Sequence, residues 1–128
     1  MLRSTTDQMI AHLEFLGYEI TRLETLVAAK HKTKMGLILE EVIDGAIFSN
    51  MFEGSVTAKN NKVDYLTWIN ELNRRSIHIR FYTNEQFQLS MESWYPNLYD
   101  KYCFGQYIDT LYRNFGLLIG DHKEASKF

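Results

Sequence analysis

The chain has 128 residues and a mass of 15.1 kDa, the size of one domain. Hydrophobic residues make up 45% and charged residues 23%, enough to build a core without metals or staples, and one proline with seven glycines excludes collagen-like or low-complexity character. The net charge is −2, and neither the first sixty residues (six basic, eight acidic) nor the remainder (eight of each) carries the basic excess that broad phosphate binding needs, so nucleic acid is disfavoured as an obligate partner.

Ser4 to Leu16 reads as a first helix. Thr5 and Gln8 have the spacing of a capping box, and Met9, Ile10, Leu13 and Leu16 fall on one face. Gly17 stands where a left-handed C-terminal cap is wanted, with Tyr18 able to pack back over the last turn. From Tyr18 to Glu53 two readings compete. Short apolar runs at Leu26–Ala29, Gly36–Leu39 and Ala46–Phe48, broken by Lys30–Lys34 and by Asp44-Gly45, read as three strands. Asp-Gly is a hairpin signal because both residues tolerate the positive φ of a type I′ turn. Residues 35–51 also fit a helical period, but Gly45 would cost such a helix about 1 kcal/mol and the β-branched content is high, so strands are expected.

Asn61 to Arg75 reads as a second helix, with Asn61 as cap, Asp64 at the positive end of the dipole, and Tyr65, Trp68, Ile69 and Leu72 as its apolar face. Ser76 to Trp94 alternates as a hairpin: Ile77, Ile79 and Phe81 go out, and Phe87, Leu89 and Met91 return. Both apolar sets are odd-numbered, so the loop must hold an odd number of residues; three are expected, with Asn84 or Glu85 left-handed. Asn97 to about Leu118 is the longest helix, with Asn97 capping, Phe104, Tyr107, Ile108, Leu111, Phe115 and Leu118 in its stripe, and Gly120 ending it. The expected fold is α+β: a five-stranded antiparallel sheet with three helices, order α-β-β-β-α-β-β-α, forming a single domain over residues 1–121 with a loose tail from His122 to Phe128.

Cys103 is the only cysteine, so no internal disulfide forms and a reducing compartment suits the chain. The N-terminus is polar from Ser4 onward, without the apolar run of a signal peptide, and no apolar stretch approaches membrane-spanning length. Cytoplasmic location without membrane contact is the expectation.

Motifs of catalysis are missing. The glycines are too scattered for a phosphate-binding loop, there is no GxSxG elbow, and the four histidines (12, 31, 78, 122) include no i, i+4 pair; no catalytic residue, metal site or cofactor is expected. The one plausible polar cluster is His78, Arg80 and Glu92, with His78 facing Glu92 if the turn spans Asn84–Gln86; it reads as a solvated cross-strand pair unless a pocket encloses it, when a small-ligand or enzymatic site becomes the alternative. Cys103, next to Phe104, reads as a buried inert thiol. Arg74, Arg75, Arg80 and Tyr82 could form a small cationic and aromatic patch for single-stranded nucleic acid, against the plainer reading of a solvated helix end. Between Trp94 and Tyr112 seven aromatic residues crowd together, more than one helix stripe can hide. Trp94, Tyr95 and Tyr99 are therefore the candidates for a protein-binding surface, beside the reading that all are core.

The string Tyr65-Leu66-Thr67-Trp68-Ile69-Asn70-Glu71-Leu72-Asn73-Arg74-Arg75, followed by a hairpin and a long aromatic helix, resembles the YbjN-type family of small bacterial proteins, as do Asn70 and Asn73 late in the second helix and Gly17-Tyr18 after the first. The resemblance implies the fold of type III secretion chaperones, often homodimeric, a role as candidate regulators of sensory transduction, and no active site to carry over. Asn70 and Asn73 read as structural, bonding to the last carbonyls of their helix or to the following strand and fixing the helix-to-hairpin corner. The expected function is that of a non-enzymatic cytoplasmic binding module, homodimeric, holding a protein segment against an apolar or sheet-edge surface.

Overall fold

A computed structural model describes residues 2–53 and 55–116 of the chain. The first helix, α1 (Ser4–Phe15), lies where its apolar spacing puts it, with Met9, Ile10 and Leu13 buried. Its N-terminus is not held by the expected capping box. Arg3 is the N-cap residue and no side chain caps the turn. Tertiary bonds do that work: Glu41 accepts from the Arg3 N–H at 2.8 Å and from the Thr6 hydroxyl, while the Arg3 guanidinium donates to the carbonyls of Ile43 and Gly45. At the other end Gly17 adopts φ 99°, and the bonds Tyr18 N–H to Leu13 C=O and Gly17 N–H to Glu14 C=O make a Schellman motif.

Four strands follow rather than three: β1 (Glu19–Arg22), β2 (Val27–Lys30), β3 (Leu37–Val42) and β4 (Gly45–Phe52). The additional strand β1 lies at the sheet edge and turns mostly polar side chains to solvent, so it carries no apolar run. Between residues 35 and 51 the chain forms the β3–β4 hairpin and no helix, as the β-branched content suggests. The turn is displaced, however: Val42 pairs with Gly45, so Ile43-Asp44 is the two-residue loop, and neither Asp44 nor Gly45 has a positive φ. Gly45 is needed for close approach instead. A Cβ there would overlap the Tyr95 carbonyl oxygen and lie 2.8 Å from the Trp94 indole nitrogen.

A one-turn helix, α2 (Val56–Asn60), precedes α3 (Lys62–Arg75); Ser55 caps it by accepting from the Ala58 N–H at 2.9 Å. Asn61 occupies the N-cap position of α3, but its side chain donates back to the Thr57 carbonyl instead of accepting from α3. The second hairpin is β5 (Arg80–Thr83) and β6 (Leu89–Pro96). Phe81 pairs with Met91, both buried, so the two face the same side as expected. The loop holds an odd number of residues, but it runs from Asn84 to Gln88, five residues where three are expected, and the left-handed residue is Phe87 (φ 60°). The strand also begins three residues later than Ile77, which is almost fully exposed. Ser76 accepts from the Ile79 N–H at 3.0 Å and bends residues 76–79 away from the ladder.

The last helix, α4 (Lys101–Phe115), begins at an Asp100 N-cap, whose carboxylate accepts from the Cys103 N–H at 2.8 Å; Asn97 instead donates its backbone N–H to Asp44. The expected helix end at Leu118–Gly120 and the tail from His122 to Phe128 lie outside the described residues. Among the described residues the order is therefore α-β-β-β-β-α-α-β-β-α: a six-stranded antiparallel sheet, β1-β2-β3-β4-β6-β5, with four helices, in place of five strands and three helices.

Strand registers align Val27, Leu39, Phe48 and Ser93 in one row, Asn50, Met91 and Phe81 in another, and set Ala29 opposite Leu37. The apolar side chains of these rows meet Leu13 of α1, Leu72 of α3 and Phe104, Ile108 and Leu111 of α4 in one core. Phe104 and Tyr107 lie edge-on or tilted to Phe48, and Phe115 stacks on Phe52. All of these helix contacts fall on one face of the sheet.

Candidate functional site

Because side chains alternate along a strand, the other face presents Ala28, Ile38, Ile47, Ser49, Met51, Tyr82, Arg80, Glu92 and Trp94. Ile38 and Ile47 are half-buried among their neighbours, and Met51 and Trp94 are about half exposed. The result is an apolar strip on an uncovered sheet.

The three aromatic candidates do not form one patch. Trp94 is 53% exposed on the uncovered face, over Gly45. Tyr95, one residue on, points inward, is 7% exposed, and packs against Phe104 at 5.4 Å and Tyr107 at 4.6 Å. Tyr95 is a core residue, which corrects its assignment to a binding surface; its burial pushes the phenol pKa up. Tyr99 is half-buried at the start of α4, with its hydroxyl 2.8 Å from His12 Nδ1 and its ring against Phe104, so it belongs to the α1–α4 seam. Burial, reinforced by the charge of Lys101, lowers the His12 pKa.

The polar candidates do meet, though not as expected. The five-residue loop shifts the register by two, so Arg80 faces Glu92. Arg80 pairs with Glu92, Glu92 also accepts from the Tyr82 hydroxyl at 2.8 Å, and the guanidinium lies 5.5 Å from the Tyr82 ring centre. His78 is not across from Glu92. Its Nδ1 lies 3.4 Å from Asn114 Nδ2, its ring packs edge-on to Tyr107, and burial lowers its pKa, keeping the imidazole neutral near pH 7. All three nevertheless line one cleft of about 360 Å³, together with Ile47, Ile77, Ile79, Ser93 and Trp94.

Two other readings change. Cys103 is exposed, not buried, because it sits on the first turn of α4 just before the inward Phe104; its bond with Asp100 raises the thiol pKa, which disfavours the reactive thiolate. In the suggested cationic patch Arg74 is paired with Glu71 and Arg80 with Glu92, leaving little net charge for a phosphate backbone. Among the described residues no three His, Cys, Asp or Glu side chains converge to hold a metal ion, and no helix is long and apolar enough to cross a membrane.

Asn73 has a role that composition and periodicity do not disclose. Its side-chain amide donates to the Phe81 carbonyl at 2.8 Å and accepts from the Phe81 N–H at 2.8 Å. It thereby takes the place of a seventh strand on the outer edge of β5 and fixes the corner between α3 and the hairpin, the bond to the following strand expected of an asparagine near a helix C-terminus. Asn70, three residues earlier, faces solvent.

A six-stranded antiparallel sheet with its helices on one face defines the class of fold. A solved structure with this architecture is YbjN, described as a candidate transcription regulator from E. coli: it superposes with a TM-score of 0.70 over 88% of this chain and 87% of its own, at 12% sequence identity. No family model and no curated protein matches the sequence. The fold is YbjN-like.

Proposed function

We propose that this chain is a non-enzymatic, regulator-like binding module of the bacterial cytoplasm that engages a protein through the uncovered face of its sheet, centred on Trp94. The observation that carries this reading is the Trp94 side chain, half exposed beside Ile47 on a sheet face without helix contacts among the described residues. A large exposed aromatic at the end of an apolar strip is costly to leave in water and is the usual anchor of a protein interface. The fold likeness to YbjN, itself described as a candidate transcription regulator, supports the regulatory character, and the homodimer is what the sequence resemblance to the YbjN-type family implies.

The test is site-specific photo-crosslinking in the native host, with a photoreactive phenylalanine analogue at position 94 and, as control, at Leu66, exposed on α3. A discrete protein adduct from position 94 and none from position 66 is the expected result, and an adduct of twice the chain mass reports the homodimer. Equal, diffuse labelling from both positions would overturn the reading.

A further inference from the structure

The cleft beside Trp94 is a gap in the sheet. β6 continues to Pro96, but β5 covers it only from Leu89 to Glu92, because Ser76 turns residues 76–79 out of the ladder. The direction of the exposed peptide groups follows from Asn73. Since both the N–H and the C=O of Phe81 are bonded outward to that side chain, Phe81–Met91 is a non-hydrogen-bonded pair, and Arg80–Glu92 and Tyr82–Ser90 are the bonded ones. The even-numbered residues of β6 therefore aim their peptide groups toward β5. The registers of β6 with both neighbours run without a bulge, so the alternation carries on to Trp94, whose N–H and C=O point past the end of β5 into the gap. Pro96 has no N–H, and its carbonyl accepts from Leu98.

We infer that this gap is a strand-addition site: an extended, uncharged segment of a partner protein continues the line of β5, exchanging two backbone hydrogen bonds with Trp94 and laying an apolar side chain against the Trp94 indole on the uncovered face. The inference rests on the reading that the chain binds protein, and it names the kind of segment bound. Three observations select that occupant. A volume of about 360 Å³ suits two or three residues. The charges at the rim, Arg80 and Glu92, neutralise each other, so neither an acidic nor a basic segment is favoured. Finally, the outer edge of β5 is already occupied by Asn73, whereas among the described residues the Trp94 peptide has a strand partner on the β4 side only, the geometry that backbone-directed recognition requires.

Two measurements test it. In the free protein, the Trp94 amide exchanges its hydrogen at least about a hundredfold faster than the Tyr95 amide, which points toward β4; equal protection would overturn the geometry. The second titrates an acetylated threonine–valine hexapeptide, and the same peptide methylated on alternate backbone nitrogens, against the isotope-labelled protein by NMR. The expected result is shifts confined to Trp94, Ile47 and Ile77, at least tenfold slower exchange at Trp94, and no binding by the methylated peptide. Equal binding of both peptides, or no shift at Trp94 with millimolar peptide, refutes strand addition while leaving a side-chain-mediated protein surface intact. Strand addition without any crosslink from position 94 in the host refutes the broader reading alone.

Discussion

Replacing Asn73 with alanine removes both hydrogen bonds that the α3 side chain makes to Phe81, each 2.8 Å long. A typical intramolecular hydrogen bond contributes about 1 kcal/mol net, and a donor or acceptor left buried without a partner costs about 1–3 kcal/mol. Phe81 itself is buried, but its peptide group lies on the sheet edge, where water can partly replace the amide. The lower end applies, and about 2 kcal/mol is the expected loss. For a domain of this size that corresponds to a fall in Tm of roughly 6–10 °C. Urea unfolding followed by circular dichroism should show a lower midpoint with an unchanged slope. Asn73→Asp keeps the acceptor for the Phe81 N–H and loses the donor to its carbonyl, so it should fall between wild type and alanine. Asn70→Ala, on the solvent side of the same helix, should stay within about 0.5 kcal/mol of wild type. If Asn73→Ala and Asn70→Ala unfold at the same urea concentration, the edge-bonding argument is refuted.

Gly45→Ala should cost more than the ordinary glycine-to-alanine difference in a strand, because the new Cβ meets the Tyr95 carbonyl and the Trp94 indole; calorimetry should show a lower Tm, and fluorescence a changed Trp94 environment. Glu41→Gln should weaken the clamp on α1. Thr6 and Arg3 together hold the Glu41 pKa below the ordinary carboxylate range against the opposing effect of burial, so its contribution is complete above that range and is lost as pH falls through the lowered value. The double variant should accordingly show little additional acid sensitivity below pH 4.5 when Thr6→Ala is added to Glu41→Gln. His12 and His78 act at higher pH. Burial lowers both below the usual value of 6.5, so the unfolded chain binds more protons than the native one, and stability falls as pH drops below about 6.5. Urea midpoints measured from pH 7.5 to 5 should decline, and His12→Gln with His78→Gln should flatten that stretch; a midpoint that rises on acidification contradicts the burial of both rings.

Local rules carried much of the architecture. The period of α1, α3 and α4, the Gly17 cap and the odd parity of the second hairpin are consequences of side-chain spacing and backbone sterics, which neighbours in sequence determine. Other features have separate causes. β1 is polar because one side of an edge strand is solvated, and α2 is a single capped turn; neither leaves a periodic trace. The turn in the first hairpin is displaced from Asp44-Gly45 because a tertiary approach, that of Tyr95 and Trp94, claims Gly45 for its missing Cβ. At the candidate site, adjacency in sequence suggested that Trp94 and Tyr95 act together, whereas the pleat sends them to opposite faces.

Sequence by itself determined that this protein is an α+β domain with an antiparallel sheet, since amphipathic period and turn chemistry are local properties. Only the tertiary structure decided which sheet face the helices cover, that His78, Arg80 and Glu92 border one cleft, and that Trp94 stands beside a break in the ladder. Those facts depend on how strands far apart in the chain pair, Ile47 with Trp94 and Phe48 with Ser93, and on where β5 stops, which the Ser76 turn and the Asn73 amide on Phe81 set together.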